Sequence, residues 1–244
     1  PPVALLFGWQ RAMLFLAAPI VLLLIGLEWP RREWDRHRTP QSQSIPEGLR
    51  RLVVLLRENS EIRALTTSSF IYSGVQLCFV AFMAVHLTTR AGFGVVAAGQ
   101  TLALYQVCGV VSRPIWGWIA DRAVPARWLL VAQGFVMTLA AIMAGQFSSD
   151  WPGWLVLATC AIAGASASGY TGIAYAEFAR LGGVRRTEAT GLGSAAMFAG
   201  VLVIPSLATV LITTTGSYAL AYCAVGIAAA SAAVLLAARR PADQ

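Results

Sequence analysis

The 244-residue sequence is 57% hydrophobic and only 12% charged, with a net charge of +7. Apolar stretches of about 20 residues recur along it, and each is long enough to cross a hydrocarbon core of ~30 Å. A soluble domain carries about a quarter charged residues, and a β-barrel shows alternating segments of about ten residues, so both classes are excluded. The composition therefore predicts an all-α, polytopic helical membrane protein.

The residue types also exclude several chemistries. All 18 basic residues are arginine, which excludes Schiff-base and other lysine chemistry, a seven-helix retinal protein included. The four cysteines fall inside apolar stretches without CxxC spacing, so we interpret them as small buried hydrophobic residues. The sequence contains no HExxH, no G-x-S-x-G and no phosphate-binding loop of the GxxxxGK[ST] type. We therefore expect no enzyme activity, no cofactor and no metal site.

The chain opens on Pro1-Pro2, and residues 3–7 have the composition of the apolar end of a helix that began upstream, so the sequence is expected to be a fragment. A first span is predicted at 12–27. The polar segment 31–63 follows, and within it apolar residues recur at helical spacing after a capping box formed by Ser44 and Glu47. This pattern predicts a linker with an amphipathic helix on the membrane surface.

Six further spans are predicted after the linker, at 64–88, 95–119, 128–147, 153–177, 190–212 and 218–238, which makes about seven in total. With the linker on the cytoplasmic side, alternation places every arginine there except Arg11, Arg90 and the intramembrane Arg113. This asymmetry agrees with the positive-inside rule, so the linker and the C-terminus are expected to be cytoplasmic. The arginines then set the orientation of the helices in the membrane and bind anionic lipid headgroups. Nucleic acid is not expected as a partner.

The turn after the third span resembles a known family. Gly117-x-x-x-Asp121-Arg122, followed by Arg127, is similar to the loop signature G-x-x-x-D-R-x-G-R of the major facilitator superfamily, although 123–126 lacks the usual glycine and basic residue. The resemblance implies three regions: the end of helix 5 with helix 6 at 1–30, the cytoplasmic linker at 31–63, and the C-terminal six-helix transmembrane bundle at 64–240. The N-terminal six-helix half would be missing. The location implied is the bacterial inner membrane.

The signature residues are expected to latch the cytoplasmic side. Gly117 permits close helix approach, while Asp121 can face a helix N-terminus and Arg122 and Arg127 can pair with acids at the same boundary. Glu177 is the acidic partner available to them. The alternative is that these charges only anchor helix ends at the interface.

Arg113 is the strongest candidate for a functional residue. It lies eight residues before Asp121, ~12 Å deeper along the helix and near the bilayer middle. A guanidinium facing a cavity can bind a carboxylate or similar oxyanion. The run Arg113-Pro114-x-x-Gly117 is similar to helix 8 of monocarboxylate porters, and arginines of this helix bind anions in the oxalate/formate and nitrate branches. Gly109 replaces the aspartate of monocarboxylate porters, so proton coupling through that pair is not expected.

Other polar residues are expected to line the same cavity as substrate-binding groups: Tyr72, Gln76, Tyr105, Gln106 and Tyr170. The alternative for Arg113 is that it satisfies backbone carbonyls or pairs with an acid outside this sequence. The sequence thus predicts a secondary transporter that moves a small organic anion by alternating access, with a coupling ion as a candidate second partner. A non-transporting membrane scaffold or an inactive truncated remnant is the second hypothesis.

Overall fold

The computed structural model describes residues 8–36 and 45–238, and within these ranges every regular element is helical. By its internal contacts the chain divides into two compact units, Pro1–Gly48 and Leu49–Gln244. The expected helix end at 3–7, the capping residue Ser44 and the C-terminal Arg239 and Arg240 lie outside the described residues.

The first unit contains helix α1 (Trp9–Arg36), which includes the apolar stretch Met13–Glu28. The sequence places the end of this span at 27–30, but the helix continues through Pro30 to Arg36. A proline inside a helix removes one backbone hydrogen bond, and here the helix continues beyond it.

The second unit begins within helix α2 (Ile45–Glu58), the segment predicted to be amphipathic. Its Leu55 is buried in the core, while Val53 and Val54 are exposed. A single residue, Asn59, separates α2 from helix α3 (Ser60–Thr89), and its side-chain oxygen accepts hydrogen bonds from the backbone N–H groups of Glu61 and Ile62 at 2.9 and 3.1 Å. This N-cap lets one helix end and the next begin almost at once.

The remaining helices of the second unit are α4 (Val95–Arg122), α5 (Ala126–Gly145), α6 (Gly153–Ala163), α7 (Thr171–Gly182), α8 (Arg186–Thr215) and α9 (Tyr218–Ala238). A π-helical segment, Gly164–Ser168, joins α6 to α7. Among the described residues, 5 helical stretches are long and apolar enough to cross a membrane, judged by length and composition.

One of these stretches, Gly153–Thr215, has 63 residues and would be ~95 Å long as a straight helix. It is a hairpin instead, because the chain reverses at Gly183, whose φ is +51°. The reversal packs the Phe178 ring against the backbone of Gly193, and the hydroxyl groups of Tyr175 and Ser194 are 3.1 Å apart. The turn predicted at 180–188 is thus limited to the three residues Gly183–Arg185.

Helix α3 lies at the centre of the second unit and packs against α8, α9 and α4. Its buried face carries Tyr72 and Phe79, whose rings contact Tyr170 at 5.5 Å and Tyr105 at 5.9 Å between centroids. Helix α4 packs in turn against the π-helical segment. The contact between α4 and this segment positions the candidate site.

Candidate functional site

Arg113 of α4 is attached to the π-helical segment by one edge of its guanidinium. Its Nε donates a hydrogen bond to the backbone carbonyl of Ser168 at 3.1 Å, and its Nη2 donates to the hydroxyl of the same residue at 3.5 Å. The residue as a whole remains exposed. Arg113 therefore donates to a backbone carbonyl, as the alternative hypothesis expects. Because the residue is exposed, the rest of its guanidinium remains accessible outside the contact between α4 and the π-helical segment.

The π-helical segment offers α4 carbonyl groups that a regular helix uses internally. Helix bonds of the i to i+5 type displace the backbone, and such segments are common at functional sites. Here the carbonyl of Ala165 accepts hydrogen bonds from the Ser112 hydroxyl at 3.0 Å and from the Trp116 indole N–H at 2.8 Å. Three side chains from consecutive turns of α4, those of Ser112, Arg113 and Trp116, thus hold this segment.

Glycines allow the two backbones to approach closely enough for these contacts. A Cβ atom added to Gly109 would lie 2.5 Å from the Ser168 Cβ, and one added to Gly164 would collide with the carbonyl of Tyr105. Close helix approach through small residues is typical of packing inside membranes. The glycine at 109, where the monocarboxylate porters carry an aspartate, therefore has a packing role here.

Arg113 lines a cleft of about 900 Å³ that extends toward the ends of α4 and α7. Its walls include small and apolar residues, among them Gly117, Gly172 and Ile173. The lining also includes the charged residues Glu61, Asp121, Arg127, Glu177 and Arg180. The cleft is large enough for a small-molecule ligand, whose sites usually measure about 300 to 1,000 Å³.

The two predicted glutamines differ in their relation to Arg113. The Gln76 side chain is half-buried, and its Nε2 donates to the Ser168 hydroxyl at 3.4 Å, so Gln76 and Arg113 share one partner. Gln106 is exposed and lies two helical turns before Arg113 on nearly the same face of α4. Neither glutamine lines the 900 Å³ cleft.

The three predicted tyrosines are placed differently from the expectation that they line the cavity. Tyr72, Tyr105 and Tyr170 are almost fully buried and are absent from the cleft walls. Their hydroxyl groups donate to the backbone carbonyls of Leu130 at 3.1 Å, Gln76 at 3.5 Å and Ser69 at 3.5 Å. A tyrosine has a large apolar ring and a single hydroxyl, so one backbone carbonyl satisfies the hydroxyl when the side chain is buried between helices.

The predicted latch residues form different pairs from those expected. Glu177 accepts two hydrogen bonds from Arg180, at 2.8 and 2.7 Å, and this neighbour at i+3 takes the place predicted for Arg122 or Arg127. Arg127 donates instead to the backbone carbonyls of Leu236 and Ala237, at 2.8 and 3.0 Å. The last carbonyls of a helix lack partners within it and attract a cation, which explains this choice.

The other latch candidates lie at the cleft end of α4. Arg122 is exposed, and its guanidinium carbon lies 5.3 Å from the centre of the Trp118 ring. Asp121 is exposed on the cleft wall and forms no ion pair with any part of the chain that the structure describes. Gly117 lines the cleft, and apart from its own helical backbone no atom of the described residues lies within 4 Å of the position that its Cβ would take.

Two contributors to this site, Ser168 and Arg180, were not among the predicted residues. Ser168 lies in the small-residue run GASASG, which predicts tight packing but not a hydrogen-bond partner for an arginine. The pairing of Arg180 with Glu177 has a clear signal in the sequence, because an acid and an arginine three residues apart on a helix regularly pair. Within residues 8–36 and 45–238 no group of three His, Cys, Asp or Glu residues is placed to hold a metal ion.

Comparison with known proteins agrees with this architecture. Two curated relatives, each described as "Probable nitrate/nitrite transporter NarK2" and each from a strain of Mycobacterium tuberculosis, are 36% identical over 81 residues. The match covers 32% of this chain and only 20% of each relative's length. A family model described as Major Facilitator Superfamily matches residues 2–181, well over half of the chain. The chain therefore belongs to the Major Facilitator Superfamily.

Proposed function

We propose that this chain is part of a secondary active transporter that moves a small anion across the membrane by alternating access. The observation that carries the proposal is the position of Arg113, an arginine inside a membrane-spanning helix that lines a cleft of about 900 Å³. A charge at this depth is costly in lipid, by ~3 kcal/mol or more, and usually marks a substrate or ion pathway.

The charge balance of the cleft favours an anion near Arg113. The acids of the cleft wall lie toward the helix ends, and Glu177 is neutralised by Arg180 at 2.7 Å. Asp121 is eight residues from Arg113 along α4, or ~12 Å, which is too far for a direct ion pair. Within the described residues Arg113 therefore has no acidic partner, and an anionic substrate would supply one.

The substrate proposed first is a small organic anion with a carboxylate, because a guanidinium matches two carboxylate oxygens with two parallel N–H groups. Nitrate and nitrite form a second candidate, favoured because the Mycobacterium tuberculosis relatives are described as probable nitrate/nitrite transporters. All of these are planar oxyanions. One panel of formate, lactate, nitrate and nitrite covers both candidates.

The proposal includes partners and an orientation. We propose that the open side of the cleft faces a second, N-terminal helical bundle, because a polar cleft in a membrane must be covered by protein or filled with water. We also propose that the linker and the C-terminus lie in the cytoplasm of a bacterial cell, with the protein in the inner membrane. Transport against the membrane potential would require a coupled ion, which gradients of H⁺ and Na⁺ can reveal.

The test is uptake into proteoliposomes of the protein expressed with any residues that precede Pro1 in its reading frame. Wild-type protein should accumulate at least one labelled anion of the panel. Arg113→Gln should lower that uptake by about 10- to 100-fold, which corresponds to the free energy of a hydrogen bond to a charged group. Arg113→Lys should retain part of the uptake, because lysine keeps the positive charge but lacks the planar fork of donors. Arg186→Gln is the matched control, because Arg186 is exposed and lies outside the cleft lining.

Two results would contradict the proposal. The first is wild-type protein that is folded and oriented in the vesicles but moves no anion of the panel, which would favour a membrane scaffold or an inactive remnant. The second is anion uptake that Arg113→Gln and Arg186→Gln lower equally, because the site would then lie elsewhere.

A further inference from the structure

We propose that Ser168 is a positioning residue that fixes one edge of the Arg113 guanidinium and thereby selects planar oxyanions over halides. This inference rests on the proposed anion transport and adds the determinant of its specificity. It depends on how the hydrogen bonds are distributed over the guanidinium, and on what holds Ser168 in place.

The hydrogen bonds of Arg113 use only one edge of its planar head group. Nε and Nη2 lie on the same edge, and both donate to Ser168, at 3.1 Å to its carbonyl and 3.5 Å to its hydroxyl. A guanidinium has five N–H donors in a rigid fork. The second edge, formed by Nη1 and the other N–H of Nη2, donates to no group in the described part of the chain and remains available to a ligand.

Ser168 is held by contacts that do not involve Arg113. Its hydroxyl accepts a hydrogen bond from Gln76 of α3 at 3.4 Å, and the residue is 3% exposed. The π-helical segment that carries it is fixed to α4 through Ala165, whose carbonyl accepts the Ser112 and Trp116 hydrogen bonds. Because the anchor is held from two helices, it can keep the guanidinium in one orientation.

A guanidinium held in this way discriminates by shape. The free edge presents two parallel N–H groups, which match the two neighbouring oxygens of a carboxylate, nitrite or nitrate. A chloride ion is a single spherical acceptor and cannot use both donors with straight hydrogen bonds. If the guanidinium could rotate, it would offer other combinations of donors and could adapt to anions of other shapes. Fixing one edge therefore favours planar oxyanions.

The test compares Ser168→Ala with Ser166→Ala in proteoliposomes, with nitrate, formate and chloride as the probes. Ser166 lies in the same π-helical segment and is equally buried, but its hydroxyl bonds only to carbonyls of its own helix, those of Ile162 and Ala163. Ser168→Ala keeps the carbonyl that accepts from Nε and removes the hydroxyl that accepts from Nη2 and from Gln76. The preference for nitrate or formate over chloride should therefore fall by about twofold to threefold, the effect of one weak hydrogen bond. In Ser166→Ala the preference should stay at the wild-type value.

A second measurement tests the positioning without any anion. The rate at which a dicarbonyl reagent modifies Arg113, read by mass spectrometry, should rise severalfold in Ser168→Ala and stay unchanged in Ser166→Ala. Equal selectivity and equal labelling in wild type and Ser168→Ala would overturn the inference. Wild-type protein that moves no anion would instead overturn the proposed function, and the labelling rates would still decide whether Ser168 positions Arg113.

Discussion

The Arg127 side chain closes the end of helix α9 by donating to the carbonyl of Leu236 at 2.8 Å. A second hydrogen bond reaches the carbonyl of Ala237 at 3.0 Å. The arginine of the family signature thus joins the first turn of α5 to the last turn of α9, and its contact is a helix cap. Its positive charge also complements the negative end of the helix dipole.

This cap predicts a measurable loss of stability in Arg127→Gln. The variant removes charged hydrogen bonds to carbonyls that have no other partner among residues 45–238, which should cost about 1.5 to 3 kcal/mol. The melting temperature of the purified protein should fall, and hydrogen exchange should increase at the C-terminal end of α9. Arg122→Gln should change neither, because Arg122 contacts only the Trp118 ring in the described structure. Equal melting temperatures for Arg127→Gln and wild type would contradict the capping role.

The reversal between α7 and α8 predicts that Gly183 does not tolerate a side chain. Its φ of +51° with ψ of −116° is a conformation that residues with a Cβ rarely adopt. Gly183→Ala should therefore destabilise the protein by about 1 to 3 kcal/mol. Gly191→Ala is the matched control, because Gly191 is helical with open space around it and should gain up to about 1 kcal/mol. A Gly183→Ala variant as stable as wild type would show that the chain reverses in another way.

The contact between α2 and the α7–α8 turn predicts a charge-swap effect. Arg185 pairs with Glu58 at 3.0 Å, and Arg51 pairs with Glu188 at 3.5 Å. These pairs are partly exposed, so each should contribute only about 0.2 to 1 kcal/mol and should weaken with salt. Glu58→Arg should increase hydrogen exchange in α2, and the double variant Glu58→Arg with Arg185→Glu should restore protection. If the double variant stays as unprotected as the single one, the ion pair does not hold α2.

The close approach of α4 to the π-helical segment predicts a strong effect of Gly164→Ala. The added Cβ would collide with the backbone of Tyr105, which cannot move away as a flexible side chain can. Overpacking of this kind costs about 1 to 3 kcal/mol and should separate Arg113 from Ser168. Expression and thermal stability should fall well below those of Gly172→Ala, whose Cβ would meet open space. Equal stability of the two variants would contradict the packing described.

Hydrophobic length and arginine distribution predict the class of the fold well, because a bilayer requires long apolar helices of almost any sequence. The helix ends are less predictable. Pro30 does not end α1, and the predicted turn at 180–188 is nearly all helix, because the reversal needs only the unusual backbone of Gly183.

The candidate site was predictable in part. A lone arginine in an apolar span is visible in the sequence, so Arg113 could be singled out. The π-helical segment has no such signal, since GASASG predicts only close packing, and the role of Ser168 depends on that backbone. Buried and cleft-facing tyrosines also look alike in a sequence, because both need just one hydrogen-bond partner.

The most direct test of the central claim is protection of Arg113 by an anion. The purified protein, with any residues that precede Pro1, is titrated with formate or nitrate while a dicarbonyl reagent modifies its arginines. Mass spectrometry then gives the modification rate of each site. We predict that Arg113 becomes protected in a saturable way, while Arg122 reacts at a constant rate. Modification of Arg113 at one unchanged rate across all anion concentrations would contradict the claim that its free edge binds the transported anion.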